Sequence, residues 1–370
     1  MNMPSFYQGD LYRALVASGR ITLHVLFARP ISPDRQQLGW QDSTEGFSHH
    51  FLTGLGDAAR LAWQRRKQIH IVNGVWAEPK FLVALIILAL CGSCYLIYSE
   101  APPPGRPPTT FKQLFQQVVG RWLVRRATAM LPISHFATDF YRQLGASRFY
   151  PFGYFRAQPT LPPVPAKTEG IEFLYIGQLI ERKGLDLLLE AIHPLFADYP
   201  QLRLSLVGHG EQEAMLRQWA AERQLTERIR IEGVIPAGQI PARLQQAHLF
   251  ILPSRWDGWG LVVNEALAVG VPVVVSNACG AADVIVSGRN GFIFASQNVA
   301  DLHRCLSQFL TQPTTWPALQ ANAQQTGQTL SAETAAPYLL ECLEHLIMLR
   351  PDAPFPPWQP PNHHSKPAIP

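Results

Sequence analysis

Residues 253–276, PSRWDGWGLVVNEALAVGVPVVVS, constrain the fold of this chain more than any other segment. A turn built on Gly258, Trp259 and Gly260 precedes apolar residues at helical spacing (Leu261, Val262, Ala266, Leu267, Val269). Gly270, Pro272 and a run of β-branched residues then follow. With the apolar run 249–252 ahead of it, the pattern predicts strand, glycine loop, helix and strand, the unit of a parallel α/β sheet. The pattern recurs upstream. Residues 173–176 are apolar and end at Gly177, with a helix predicted over 185–192. Residues 202–207 end at Gly208-His209-Gly210 and lead into a helix over 212–222, and the strand 229–232 ends at Gly233-Val234. Short runs that are apolar throughout suit strands buried on both faces.

The loops of this pattern carry the chemistry. A glycine loop at a helix start offers unpaired backbone N–H groups and the positive end of the helix dipole, which suits a phosphate or a sugar hydroxyl. Asp257 and Glu265 are separated by seven residues, so the first lies in the loop and the second inside the helix, where it is able to face the same cleft. A carboxylate accepts two hydrogen bonds at once, as the vicinal hydroxyls of a ribose require. Arg182 and Lys183 supply positive charge just before the helix at 185–192, and Gly208 and Gly210 allow close backbone approach around His209. Each feature also has a plainer reading: a solvated Asp in an ordinary crossover, a charge cluster at a helix start, an exposed loop histidine.

Over residues 171–294 these motifs together resemble the retaining glycosyltransferases of family four. The resemblance implies an α/β protein of the GT-B fold, two Rossmann-like domains with parallel sheets facing a central cleft. That family carries two Glu with seven residues between them, the first contacting the donor sugar and the second the nucleotide ribose. The roles pass to Asp257, one methylene shorter, and to Glu265. Lys183 matches the family's diphosphate-binding lysine. The arginine usual after the first glycine, Gly177, is Gln178 here, and Arg182 is the candidate for the second charge. The resemblance also places Gly208 and His209 beside the phosphates, Gly233 and Val234 at the nucleotide base, and Gly258, Gly260, Leu261 and Val262 against the donor. The implied substrate is a nucleotide diphosphate sugar, with no separate cofactor, and the implied acceptor is saccharide or lipid-linked. Two alternatives stay open: a catalytically inactive sugar-nucleotide binder of the same fold, and a nucleotide-sugar epimerase, although epimerases lack the 257–265 loop.

The first half of the chain is less explicit. Strands are predicted at 21–28, 69–72, 95–99 and 129–133, which puts Trp76, Glu100 and Ser134 beyond carboxyl ends, where open parallel sheets bind ligands. Glu100 stands about where many members of the resembled family place an active-site histidine, so it is a candidate to orient or deprotonate an acceptor hydroxyl; a solvated Glu before a proline turn is the alternative. Ser134 is read as a helix cap. The run 81–98 holds eighteen residues without a charge, the length of a membrane span, but Gly92-Ser93 interrupts it and favours a helix, a turn and a strand. Residues 111–126 are amphipathic, with Phe111, Leu114, Phe115, Val118 and Trp122 on one face, suited to an anionic lipid surface or to packing on the first domain. Residues 2–8 resemble the loop that follows the family's opening strand and 11–17 its first helix, so the opening strand itself is expected to be missing from the sequence.

Length and composition set the frame. With 370 residues, 47% hydrophobic, the chain is expected to form two domains: 1–156, a proline-rich link at 157–168, and 169–335. A helix over 336–350 is expected to cross back to the first domain, and 351–370 to be a disordered tail. A net charge of +4 calls for no nucleic acid and suits phosphate-bearing ligands or an anionic membrane face. Five cysteines, with one Cys91-x-x-Cys94 pair at the end of an apolar run, fit a reducing compartment rather than a disulfide framework. The expected location is cytoplasmic, with peripheral contact at the inner membrane face as an addition. Neither an Asp-x-Asp motif nor another metal cluster stands at a suitable place, so no metal is expected.

Overall fold

The computed structural model describes residues 3–4, 6–31, 44–76, 78–103, 111–159, 170–348 and 352–359; for Phe6, Tyr7 and 111–116 only the backbone is described. By contact the chain divides into two compact units, Met1–Ala157 with Ala332–Pro357, and Gln158–Ser331 with Trp358–Pro370.

The first unit runs α1 (Phe6–Ala17), β1 (His24–Phe27), β2 (Ser48–Phe51), α2 (Leu55–Gln64), β3 (His70–Asn73), α3 (Pro79–Leu90), β4 (Tyr95–Glu100), α4 (Phe111–Arg126), β5 (Ala129–Ile133) and α5 (Ser134–Gln143). Its described strands form two parallel sheets, β1 with β2 and β3-β4-β5, with no hydrogen-bonded pairing between them. The long apolar run divides where the glycine was expected to divide it. Pro79 opens α3, where its missing N–H costs nothing. Gly92 takes a φ of 63°, and Ser93 N donates to Leu88 O at 2.9 Å while Gly92 N donates to Ala89 O at 3.3 Å. These paired bonds close a helix on a left-handed residue. The remainder becomes β4, whose residues Tyr95, Leu96 and Ile97 are buried. No described helix is long and apolar enough to cross a membrane. Lys80, on α3, donates to Ala28 O at 2.6 Å and Leu52 O at 2.8 Å, tying that helix to the ends of β1 and β2.

The second unit holds one six-stranded parallel sheet. Its elements are β6 (Ile171–Ile176), α6 (Leu185–Ile192), α7 (Leu195–Asp198), β7 (Leu202–Val207), α8 (Glu213–Glu222), β8 (Ile229–Gly233), α9 (Ile240–Gln245), β9 (Leu249–Leu252), α10 (Leu261–Ala268), β10 (Val273–Ser276), β11 (Gly291–Phe294), α11 (Val299–Thr311) and α12 (Trp316–Thr329). The strand order is β11-β10-β9-β6-β7-β8. The first strand of the unit therefore sits at the centre, and the order reverses between β6 and β9. All of β9 and β10 and the last four residues of β6 are buried, because helices cover both faces of a doubly wound sheet.

The C-terminal helix α13 (Ala332–Met348) belongs to the first unit, where Tyr338 stacks on Phe152 and the Tyr150 hydroxyl lies 2.6 Å from His345 Nδ1. The structure adds detail that the sequence did not supply. β1 is shorter than the apolar run 21–28 suggests, and β2 was not expected at all; of the segment 351–370, residues 352–359 are described, with Trp358 buried, and the rest lies outside the described residues. Of the amphipathic face expected on 111–126, Phe111, Leu114 and Phe115 lie outside the described side chains. Val118 is exposed, and Leu123 and Val124 provide the buried contacts instead.

Candidate active site

Ligands of doubly wound sheets bind beyond the carboxyl ends of the strands, at the point where the strand order reverses. In the second unit that point lies between the loop after β6 and the loop after β9. The first loop carries Gly177, Gln178, Arg182 and Lys183; the second carries Arg255, Asp257, Gly258 and Gly260. Lys183 Nζ and Asp257 Oδ2 meet at 2.5 Å, with side chains only 13% and 15% exposed. Residues read separately in the sequence are thus brought together as one ion pair.

The two loops are held in register by further contacts. Arg182 Nη1 donates to Trp256 O at 2.7 Å, and Arg255 N donates to Arg182 O at 2.9 Å. Arg255 binds both carboxylate oxygens of Asp186, at 2.8 and 2.6 Å, and donates to Glu181 O at 2.7 Å. The guanidinium holds the Asp186 carboxyl below its ordinary range, chiefly through these hydrogen bonds. Arg255 was not singled out in the sequence, since its partner lies 69 residues away and no spacing rule signals it. Gly184 permits the close approach of the loops: its φ is 67°, and a Cβ there would lie 2.3 Å from Pro253 O.

The glycines around Gly208 act in the same way. A Cβ on Gly208 would lie 1.8 Å from Gly177 O, and one on Gly210 2.3 Å from Leu179 O. Leu179 N donates to His209 O at 2.9 Å, so the loops after β6 and β7 interlock through their backbones while the His209 side chain is exposed. Gly233 takes a φ of 71° and its carbonyl accepts from Gly208 N at 2.8 Å; Val234 is 48% exposed. Tyr175, on β6, donates its hydroxyl to Gln178 O at 2.7 Å. Burial, and secondarily the Asp257 charge, push its phenol far above the ordinary range, so it remains a neutral donor.

The carboxylate loop is built from below. Trp259 is buried rather than presented to solvent, and its indole N–H donates to Asn264 Oδ1 at 3.0 Å. Cys279 Sγ and Ala281 N both reach Trp259 O, at 2.7 and 2.8 Å. Burial, followed by the Asp257 charge, raises the Cys279 thiol well above its usual value, which keeps it protonated for that bond. Gly260 caps α10 with a φ of 92°, and a Cβ there would lie 2.7 Å from both Cys279 Sγ and Leu252 Cδ2. Leu261, Val262 and Val263 follow as the first turn, in which Val263 N donates to Gly260 O at 2.9 Å, while the N–H groups of Leu261 and Val262 come too early for an intrahelical acceptor. Glu265 lies one turn further on and is half-buried, while its neighbours Asn264 and Ala266 are buried.

The first-unit candidates stand apart from this set in the chain's division. Glu100 ends β4 opposite Ile133 in the register and accepts the Tyr154 hydroxyl at 2.8 Å. Trp76 is 41% exposed. Ser134 does not cap α5: the cap is Ile133, and Ser134 is the first helical residue, with a φ of 78° and its Oγ buried without a hydrogen-bond partner among the described residues. A left-handed φ in a serine is a strained conformation, sited here just past the end of β5. Among the described residues, no group of three or more His, Cys, Asp or Glu is placed to hold a metal ion.

Residues 159–328 match the model of the family described as glycosyl transferases group 1. A glycogen synthase of Mycobacterium tuberculosis is 30% identical over 167 residues, 45% of this chain and 40% of that protein. A putative colanic acid biosynthesis glycosyltransferase of Salmonella typhimurium is 29% identical over 200 residues, 50% of this chain and 48% of that protein. The match thus spans about half or less of the length of these relatives. Among solved structures, Anabaena Alr3699/HepE in complex with UDP superposes with a TM-score of 0.71 at 18% identity, covering 93% of this chain and all of that one. This likeness shows a shared GT-B fold. The stretch that matches this family's model, residues 159–328, carries the Lys183–Asp257 pair and the glycine loops around it.

Proposed function

We propose that this protein is a retaining glycosyltransferase that moves a sugar from a nucleotide diphosphate sugar to an acceptor hydroxyl, in the assembly of a polysaccharide or glycolipid. The observation that carries the reading is the Lys183–Asp257 pair, set between the loops after β6 and β9 where the sheet order reverses. The family match and the relatives named for glycogen and colanic acid synthesis support it. A solved neighbour was captured with UDP-glucose, which supports the donor class.

The chemistry assigns a role to each group. As the bond to the anomeric carbon breaks, negative charge grows on the departing diphosphate. The Lys183 ammonium, with Arg182 and the first-turn N–H groups of α10, would meet that charge, and such contacts are worth more in the transition state than in the ground state. Asp257 would accept a hydrogen bond from a donor-sugar hydroxyl, and the resting ion pair holds both side chains ready for this exchange. Glu265 is assigned to the ribose hydroxyls, Gly233 and Val234 to the base, and Gly177 and Gly208 to the phosphates. Glu100, in the first unit, is assigned to the acceptor. No cofactor beyond the donor takes part. The protein acts in the cytoplasm, with a lipid-linked acceptor bringing it to the membrane face.

The inactive-binder reading retains one supporting observation, Gln178 in the place of an expected cation. A panel of nucleotide sugars separates the two. A donor that binds raises thermal stability by mass action, and an active enzyme also releases nucleoside diphosphate when an acceptor is supplied. Binding without release, across all acceptors of saccharide and lipid-linked type, would leave only the binder.

A further inference from the structure

We propose that the first unit holds a neutral sugar ring of the acceptor, stacked on the indole of Trp76 and hydrogen-bonded through its hydroxyls to Glu100; the inference rests on the acceptor role assigned to Glu100 above.

The strands β3, β4 and β5 bring the groups to one edge. Asn73 pairs with Tyr98 and Glu100 with Ile133 in the register, and Gly74 N donates to Tyr98 O at 3.0 Å, so the pairing of β3 with β4 continues past Asn73. Trp76, Glu100 and Ser134 therefore stand at the carboxyl ends of three neighbouring parallel strands. Adjacent strands lie about 4.8 Å apart, so the row is about as wide as one sugar ring.

Trp76 gives the row its character. A large apolar side chain gains by burial, yet this one is 41% exposed. It is nonetheless seated. The Nε1–Cζ2 edge of the indole abuts Gly120, inside α4, where a Cβ would lie 3.0 Å from Cζ2 and 3.1 Å from Nε1. A glycine inside a helix is destabilising relative to alanine, and the close approach of the ring is the physical reason for one here. A fixed aromatic ring that stays partly open suits the C–H face of a sugar, whose apolar carbons cover the ring while its hydroxyls point away.

Glu100 supplies the polar half. Its carboxylate accepts the Tyr154 hydroxyl at 2.8 Å; the Tyr154 ring packs edge-on against Tyr98, whose own hydroxyl donates to Gly153 O at 2.9 Å. The carboxylate is thereby held in place. It is an acceptor with no donor, which suits sugar hydroxyls and repels a phosphate. At the same edge the Ser134 Oγ is buried with no hydrogen-bond partner among the described residues. An acyl chain seated here would leave these polar groups without partners, whereas a sugar ring answers both the indole and the carboxylate. In a lipid-linked acceptor it is the sugar, not the phosphate, that takes this place.

The test uses the full chain labelled with fluorotryptophan, in which the fluorine resonance missing from Trp76→Phe identifies Trp76. The probes are methyl glycosides of common hexoses, the anomeric phosphates of the same hexoses, and a short fatty acid. At least one methyl glycoside should shift the Trp76 resonance saturably, and the matching phosphate should bind roughly fivefold or more weakly. Trp76→Ala should weaken glycoside binding, read by calorimetry, by roughly tenfold or more, while Trp76→Phe keeps most of it because a ring face remains. Gly120→Ala crowds the indole edge, so it should move the Trp76 resonance in the free protein and weaken glycoside binding as well. In transfer assays Trp76→Ala should raise the acceptor KM more than it lowers kcat. The proposal is overturned if no glycoside shifts the Trp76 resonance, if a phosphate or the fatty acid shifts it at lower concentration than the glycosides do, or if a folded Trp76→Ala variant binds the glycoside as wild type does. Such a failure leaves nucleotide binding and nucleoside diphosphate release intact, whereas failure of the glycosyltransferase reading removes release with every donor, so the two are told apart.

Discussion

Lys183 and Asp257 share a setting in which each depends on the other. Both side chains are mostly buried, so removing one leaves the other charge without compensation in a partly dry site. Lys183→Ala therefore removes a cation from the diphosphate and leaves the Asp257 carboxylate facing it. Donor turnover should fall by roughly a hundredfold or more, the scale of one preorganised electrostatic contact in the transition state. The variant should fold but melt several degrees below wild type, because the Asp257 carboxylate loses its partner in a site largely shielded from water. Wild-type turnover in a folded variant would remove the assignment. Glu265→Gln keeps the shape and loses the charge, so calorimetric titration with the free nucleotide should show affinity lower by about 1–2 kcal/mol; unchanged affinity would mark a structural carboxylate. Lys183 and Asp257 stood out in the sequence as charged residues in glycine loops, and the fold brings these two together, while Glu265 stood out only by its spacing from Asp257. Arg255, Cys279 and Trp259 did not, since their roles arise from contacts to Asp186, Trp259 O and Asn264 that only the folded sheet creates.

At the scale of the element, the loops after β6 and β9 act as one body joined by Arg255 and Asp186. The Asp186 pKa is depressed in the folded state, so the contribution of this clamp is present above the ordinary aspartate value of 3.8 and is lost as pH falls through the lower folded value. Asp186 is 37% exposed, and solvent screening limits the clamp to about 1 kcal/mol or less. In acid melts, Arg255→Ala should be slightly less stable than wild type at neutral pH and should lose this part of the acid dependence; parallel curves for the two proteins would refute the linkage. Gly260→Ala probes the helix start from another side. The φ of 92° and the 2.7 Å approach to Cys279 and Leu252 should make any side chain there destabilising by about 1–3 kcal/mol, and nucleotide binding should weaken with it. A thermal melt and a titration on the same sample check both effects. The second-unit strands were legible because residues buried on both faces leave an uninterrupted apolar run. β2, with the sequence SHHF and two exposed residues, carries neither an apolar run nor a turn signal, and so it was missed.

For the whole molecule, the two units should differ in independence, because the C-terminal helix is part of the first unit's core although it follows the second in sequence. Tyr338, Leu339, Leu340 and Leu346 are buried on that helix. At about 1.5–3 kcal/mol for each buried apolar side chain, these four are worth roughly 6–12 kcal/mol, comparable to the entire net stability of a typical domain. A chain cut after Ser331 should therefore lose the ordered first unit while the second keeps its complete six-stranded sheet and its own buried core. A fragment of residues 158–331 holds all six strands and the loops after β6, β7 and β9, and of the described part of its unit it lacks only 358–359, with the buried Trp358. It should melt in one cooperative transition and bind the nucleotide within about threefold of the full chain's affinity, since every residue assigned to the donor lies within it and a tenfold change would already signal about 1.4 kcal/mol of lost contact. Acceptor transfer should be absent, because Glu100 and the rest of the first unit are gone. If the fragment fails to bind nucleotide while still folding, the donor site draws on the first unit, and the assignment of Lys183, Asp257 and Glu265 as a sufficient set is wrong.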